Sequence, residues 1–417
     1  MIKNRQTIVS SITVAMALGT AWAERGKFGH EQGAAWAGAI GGLAMILVSK
    51  RNDWYNLVFK VALATAFGWG IGGMISYGIV VGYGRGSDFG NVYYGLLMLF
   101  VIGALYGFLG GGFFALALSN SKTFTVKWHS LVGEMVAFGL LTYGLIINQL
   151  EWFMTPPRSE LWAACLGASI ALAWYILRNK QKAALKVAVW TALGAGFGFA
   201  FGNFLQVLGR GSTLPFNFWN IMEYSIGFFG GLGMAFSTLT SEWPVASEPQ
   251  TKHSNLVPII LVCAFIPFVL WHNSFVADKL TFILELGGSG DTIVWVQTMA
   301  AVAIILSLLI VFFKYYRASY TYDSVRMILI LYLVLYTFLS FLLTGIFVHP
   351  IEQYLYLVNI AIIVFAIPYL KNNFEIHEGR PSVWLSGLAL IILIIAVLAV
   401  VAIHSHEELQ GNQIRFK

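Results

Sequence analysis

Two four-residue turns, Gly84-Arg85-Gly86-Ser87 and Gly209-Arg210-Gly211-Ser212, hold the densest chemistry in the chain. Each arginine stands between glycines, which free the backbone for a tight turn with exposed N–H groups. Its guanidinium offers a planar fork that matches a carboxylate or a phosphate. Phe and Asn follow each turn, as Phe89 and Asn91 and as Phe218 and Asn220, and Glu223 takes the place in the second copy that Tyr94 holds in the first. Arg85, Arg210, Glu223, Ser87, Ser212, Asn91, Asn220 and Tyr94 are therefore a candidate anion-binding set. The plainer use of each arginine is to hold a lipid phosphate or to close the last carbonyls of a helix. The charged stretch Glu24–Gln32, with His30 and Glu31, is expected to be a solvated loop able to cover this set. Carboxylates at membrane depth are costly and so are site candidates by default. Glu223 and Glu134 are the two such residues, each about five residues inside an apolar run.

Other chemistries find little support. His404-x-His406-Glu407-Glu408 places its two imidazoles at i and i+2, which do not share a helix face, so no metal site is expected. Cys165 and Cys263 are isolated in apolar runs, which gives neither a disulfide framework nor ligand spacing. The chain contains no Walker A run, no His-Glu-x-x-His, no Gly-x-Ser-x-Gly and no Cys-x-x-Cys, so no cofactor is expected and ATP-driven pumping by this chain alone is disfavoured.

The elements that must position these residues are apolar helices. Of 417 residues 58% are hydrophobic and 11% charged, the mean hydropathy is +0.74, and a soluble domain carries about 25% charge. Crossing hydrocarbon takes about 20 apolar residues. Suitable runs fall at 7–23, 32–49, 58–82, 92–118, 128–148, 160–177, 185–208, 218–240, 256–276, 292–313, 325–348, 353–370 and 383–404. The pattern predicts an all-α polytopic membrane protein with about 13 transmembrane helices. The first run also reads as a signal peptide ending at Ala21-Trp22-Ala23; its counterpart in the internal repeat favours a retained helix. The net charge of +6 comes from basic residues in short loops and implies no nucleic acid.

Residues 1–121 and 122–241 are expected to be two parallel four-helix repeats. At an offset of 126, Trp36/Trp162, Gly41/Gly167, Lys60/Lys186, Thr65/Thr191, Gly68/Gly194 and Gly72/Gly198 match, and the two arginine turns match after one deletion. Parallel repeats put both turns on one face. Of 43 glycines, 36 precede residue 234, many at four-residue spacing such as Gly103/Gly107/Gly111 and Gly194/Gly198/Gly202. Such stripes let helix backbones approach closely where lipid gives no hydrophobic drive. Beyond a linker at 242–255, residues 256–417 are expected to form a glycine-poor five-helix bundle facing lipid or an oligomeric partner. Pro258 and Pro267 predict a bend in its first helix, and Asp278–Leu286 a short interfacial helix.

With the N-terminus inside, 17 of the 25 Lys and Arg fall on the cytoplasmic side. The positive-inside rule then puts the protein in a plasma (inner) membrane with its N-terminus cytoplasmic and its C-terminus, like both arginine turns, extracytoplasmic. Over fourteen residues, Arg210 to Glu223 resembles the Arg-x-Gly-Asn-Phe-x-Asn-x-Glu segment of bacterial prolipoprotein diacylglyceryl transferases. The spacings on both sides of the Asn-Phe pair differ, and neither the rest of the chain nor its span count fits that family. The leading expectation is a transporter for a small anionic or polar solute. The alternatives are an enzyme acting on a lipid or lipid-linked substrate of the outer leaflet, and a non-catalytic subunit that docks through its C-terminal helices as a homo- or hetero-oligomer. The expected partners are membrane lipids and a small anion or lipid headgroup.

Overall fold

The computed structural model describes residues 2–246, 256–315, 320–371, 374–377, 381–407 and 409–416. Among them the secondary structure is helical throughout: α1 (Ile2–Arg25), α2 (His30–Ser49), α3 (Val58–Gly73), α4 (Gly78–Tyr83), α5 (Phe89–Ser119), α6 (Trp128–Tyr143), α7 (Leu161–Arg178), α8 (Lys182–Arg210) and α9 (Phe218–Leu239) come first. The apolar stretches Leu256–Ser274 (α10), Gly290–Tyr315 (α11), Tyr322–Val348 (α12), Ile351–Tyr369 (α13) and Pro381–Ser405 (α14) follow. Eleven helices among the described residues are long and apolar enough to cross a membrane. The two expected spans outside that set are 58–82 and 218–240. The first is no single helix: it breaks at 74–77 into α3 and α4. A break leaves backbone groups that lipid cannot satisfy, and here the Tyr106 hydroxyl donates to the Ile75 carbonyl at 3.2 Å.

Six helices close a ring in the order α1, α2, α3, α5, α8, α9 and back to α1. A glycine sits at every interface. A Cβ added at Gly41, Gly38, Gly68, Gly103, Gly198 or Gly227 would stand 3.1 Å from Leu18, 2.7 Å from Thr65, 2.4 Å from Leu109, 2.5 Å from Ala195, 2.3 Å from Ser225 and 2.6 Å from Leu18 respectively. In five of the six the opposing atom is a backbone carbonyl oxygen, so the backbones themselves are in contact. With apolar lipid outside, such packing is what drives association. The helices matched by sequence to α1 and α2, namely α6 and α7, pack on each other beside α5 rather than in the ring.

Aromatic side chains fill the ring. Trp22, Trp69 and Tyr106 are fully buried, with Trp22 4.8 Å from Trp69 edge-on and 5.6 Å from Tyr106. Trp69 lies over Gly110 and Gly230, where a Cβ would meet its indole at 2.4 and 2.9 Å. The middle of the ring is therefore closed.

The C-terminal helices pack against the ring. On α12, Tyr336 stacks on Trp36 at 5.0 Å and donates to the Gly33 carbonyl at 2.9 Å. On α13, Asn359 donates to Thr20 at 3.1 Å. α14 leans on α5 and α8 through Ile395, Ala399 and Ala402, while Leu385, Leu393 and Val397 face outward. The bend expected in α10 takes the form of a π-turn, Leu261–Phe265, between its two prolines. Proline lacks the N–H that regular pairing needs. The expected interfacial helix is two short pieces, Ala277–Lys279 and Phe282–Glu285. The described start of the linker is held in place: Arg51 donates to the Pro244 carbonyl and Asp53 accepts from the Ala246 N–H, both at 3.0 Å.

Lys186, counted from sequence among the cytoplasmic basic residues, is buried. Its ammonium donates to the Thr240 carbonyl, the Thr240 hydroxyl and the His377 carbonyl at 2.7–3.0 Å, which closes the end of α9. Glu134 is partly exposed and pairs with Arg178 at 2.5 Å. Exposed pairs contribute about 0–1 kcal/mol, so Glu134→Gln is expected to leave thermal unfolding of the purified protein within about 1 kcal/mol of the parent.

Candidate functional site

The arginine end of the ring begins with α8, whose last three turns carry polar residues on one face. Asn203 and Gln206 are 0% and 1% exposed, and Arg210 ends the helix. Spacings of three and four align side chains along a helix, so Asn203, Gln206 and Arg210 form a lane that runs into the apolar layer. Arg85 reaches this lane from the turn after α4. It is buried and donates to Gln206 Oε1 at 3.1 Å, while Asn203 donates to the same oxygen at 3.2 Å. Three buried polar atoms here lack a protein partner: Arg85 Nε, Asn203 Oδ1 and Gln206 Nε2. A buried unpaired polar atom costs about 1–3 kcal/mol. Burial first, and then the charge of Arg210, pushes Arg85 below its ordinary value to about 10.

The C-terminal segment 409–416 covers this place. Arg210 donates to the Gln410 carbonyl at 3.0 Å, the Gln413 N–H donates to the Gly82 carbonyl at 3.1 Å, and a Cβ on Gly411 would lie 3.1 Å from an Arg85 nitrogen. Asn91 clamps the end of the segment: its side-chain oxygen accepts the backbone N–H groups of Arg415 and Phe416 at 2.5 and 3.0 Å. Phe416 meets the Tyr94 ring at 5.2 Å. Asn91 and Tyr94 therefore hold the cover. Ser87 is exposed, and Ser212 donates to the Gly209 carbonyl at 2.7 Å, closing α8.

Glu223 is brought to a different arginine. It pairs with Arg25 at 2.8 Å, with side chains 0% and 1% exposed. Its other oxygen accepts from the Tyr77 hydroxyl at 2.5 Å and the Trp219 indole at 3.2 Å. Arg25 also donates to Tyr77 at 3.1 Å, lies 3.4 Å from His30 Nδ1 and stacks over Trp22 at 4.5 Å. The solvated loop expected at Glu24–Gln32 is thus corrected at its start: Glu24, Arg25 and Phe28 are buried, and only part of the stretch, including Glu31, is exposed. Charges at the end of an apolar run look interfacial in sequence. Here α1 continues two residues past the run, so that Arg25 is its last residue. Glu24 points the other way, accepts from Thr337 on α12 at 2.5 Å, and leaves its second oxygen unpartnered.

One ring contact joins the lane and the ion pair. Tyr77 packs on Phe199 at 5.1 Å, and Phe199 lies one turn below Asn203 on the same face of α8. Asn220 belongs to neither; it faces a cavity between α9 and α13. Asn203, Gln206 and Arg25 were not among the residues singled out from sequence. Their signal was available as two amides inside an apolar run and an arginine beside a tryptophan. Compared with family models, curated proteins and solved structures, the chain matches none.

Proposed function

We propose that this protein is a membrane carrier for a small anionic solute, which enters at the Arg85 end and is held by Arg85, Gln206, Asn203 and Arg210. The observation that carries this reading is the buried polar lane on α8, with unpartnered donors and an acceptor behind residues 409–416. Polar groups at membrane depth are expensive and mark solute paths. The lane ends at the Arg25–Glu223 pair and the aromatic closure of Trp22, Trp69 and Tyr106, so the conformation described is the closed one. By the distribution of Lys and Arg, the protein lies in a plasma (inner) membrane with its N-terminus on the cytoplasmic side and the Arg85 end facing away from the cytoplasm. The aromatic closure also suits a non-catalytic membrane subunit, a reading that predicts no solute uptake at all.

The test is uptake by the purified protein in proteoliposomes across a panel of labelled anions: phosphate, sulfate, acetate and succinate. Saturable uptake of at least one is expected, reduced at least tenfold in Arg85→Gln and raised in a chain ending at Glu407. Uptake unaltered by both Arg85→Gln and Arg210→Gln overturns the assignment.

A further inference from the structure

A cavity of about 420 Å³ lies between α1, α9 and α13 and shares no lining residue with the lane. Its volume is within the range that holds a small organic ligand. Its walls are largely apolar, from Ala23, Ile221, Leu355 and Val358. Its polar groups fall into two kinds. Tyr224 and Asn359 bond each other, and Asn359 also holds Thr20. Two others, Asn220 Nδ2 and the Tyr356 hydroxyl, are buried and lack partners; Glu352, 4% exposed, lines the same cavity and has no ion pair within 4 Å among the described residues.

Glu352 is the one carboxylate among the residues that line this cavity. Arg25 is committed to Glu223. Lys27 interacts with Glu352 electrostatically but makes no ion pair to it within 4 Å; burial holds its ammonium below the ordinary lysine range, with Glu352 opposing that. A buried carboxylate without a cation is costly, and a cationic ligand would compensate it.

The geometry points to a binding site for a protonated primary amine on a short apolar body, with the ammonium on Glu352 and the Tyr356 oxygen. The Asn220 amide N–H would serve an acceptor oxygen beside the amine. A free alkylamine and the ethanolamine headgroup of a phospholipid share this chemistry, and the cavity's apolar walls suit the carbon chain of either. The site goes beyond the anion carrier reading and depends on none of its residues.

The test uses the purified full-length protein. Hexylammonium is titrated by calorimetry in detergent, with hexanol and hexanoate as controls, and native mass spectrometry compares retention of phosphatidylethanolamine with that of phosphatidylglycerol. Hexylammonium binding without hexanol or hexanoate binding assigns the site to free amines; selective retention of phosphatidylethanolamine assigns it to the lipid. In either case Glu352→Gln is expected to weaken binding at least tenfold, and Leu355→Trp, which fills the cavity, to abolish it, while Arg85→Gln leaves it unchanged. Leu355→Trp keeps the test decisive if Glu352→Gln does not fold. Binding of hexanol as tight as that of hexylammonium, binding unaffected by Leu355→Trp, or no preference for either amine overturns the proposal.

Discussion

Arg25→Met is expected to destabilise the purified protein by about 3–5 kcal/mol, because removing one partner of a buried ion pair strands the other charge. Glu223 then keeps only the Tyr77 hydroxyl and the Trp219 indole as partners. Glu223→Leu alone strands Arg25 and is expected to cost a similar amount. The double variant Arg25→Met/Glu223→Leu removes both charges together, and replacing a buried pair by apolar groups is often close to neutral. It is expected to recover most of the loss. Thermal unfolding followed by circular dichroism separates these cases. If each single variant lies within about 1 kcal/mol of the parent, water reaches the pair and its burial is misjudged.

Gly107→Ala is expected to destabilise, although alanine is the better helix former by about 1 kcal/mol. A Cβ there would stand 2.2 Å from the Thr191 carbonyl oxygen and 2.6 Å from its carbon. Both atoms are backbone, so α5 and α8 must move apart. Overpacking of this kind costs about 1–3 kcal/mol. Gly133 and Gly144 have nothing within 4 Å of an added Cβ, and alanine at either is expected to be neutral or stabilising. The opposite sign at Gly107 and Gly133, read from melting temperatures of the same preparation, tests whether glycine spacing sets the packing.

That spacing was legible in sequence because it is local. Gly103, Gly107 and Gly111 repeat every four residues, and the stripe they predict lies against Ala195 and Thr191 of α8. Which helix would receive each stripe was not legible, since pairing depends on contacts a hundred residues apart. The span Met74 interrupts was read as continuous because its residues stay apolar through the break. Asn203 and Gln206 escaped notice for a related reason: two amides scarcely change the hydropathy of a 29-residue helix, yet they are its most informative positions. Glu223 stood out as a charge at depth, and the structure confirms its burial. Its partner, Arg25, was hidden at the end of an apolar run. The covering segment 409–416 carries no motif, and its role follows only from where it lies.

The most direct test of the central claim is the accessibility of Gln206. With Cys165 and Cys263 replaced by serine, Gln206→Cys is treated with an anionic or a cationic methanethiosulfonate reagent from each side of oriented vesicles, in the full chain and in a chain ending at Glu407. Modification is expected from the Arg85 side alone, several-fold faster in the shortened chain, and faster with the anionic reagent because Arg85 and Arg210 flank the position. A thiol that reacts from neither side in the shortened chain, or that prefers the cationic reagent, would contradict a covered anion site.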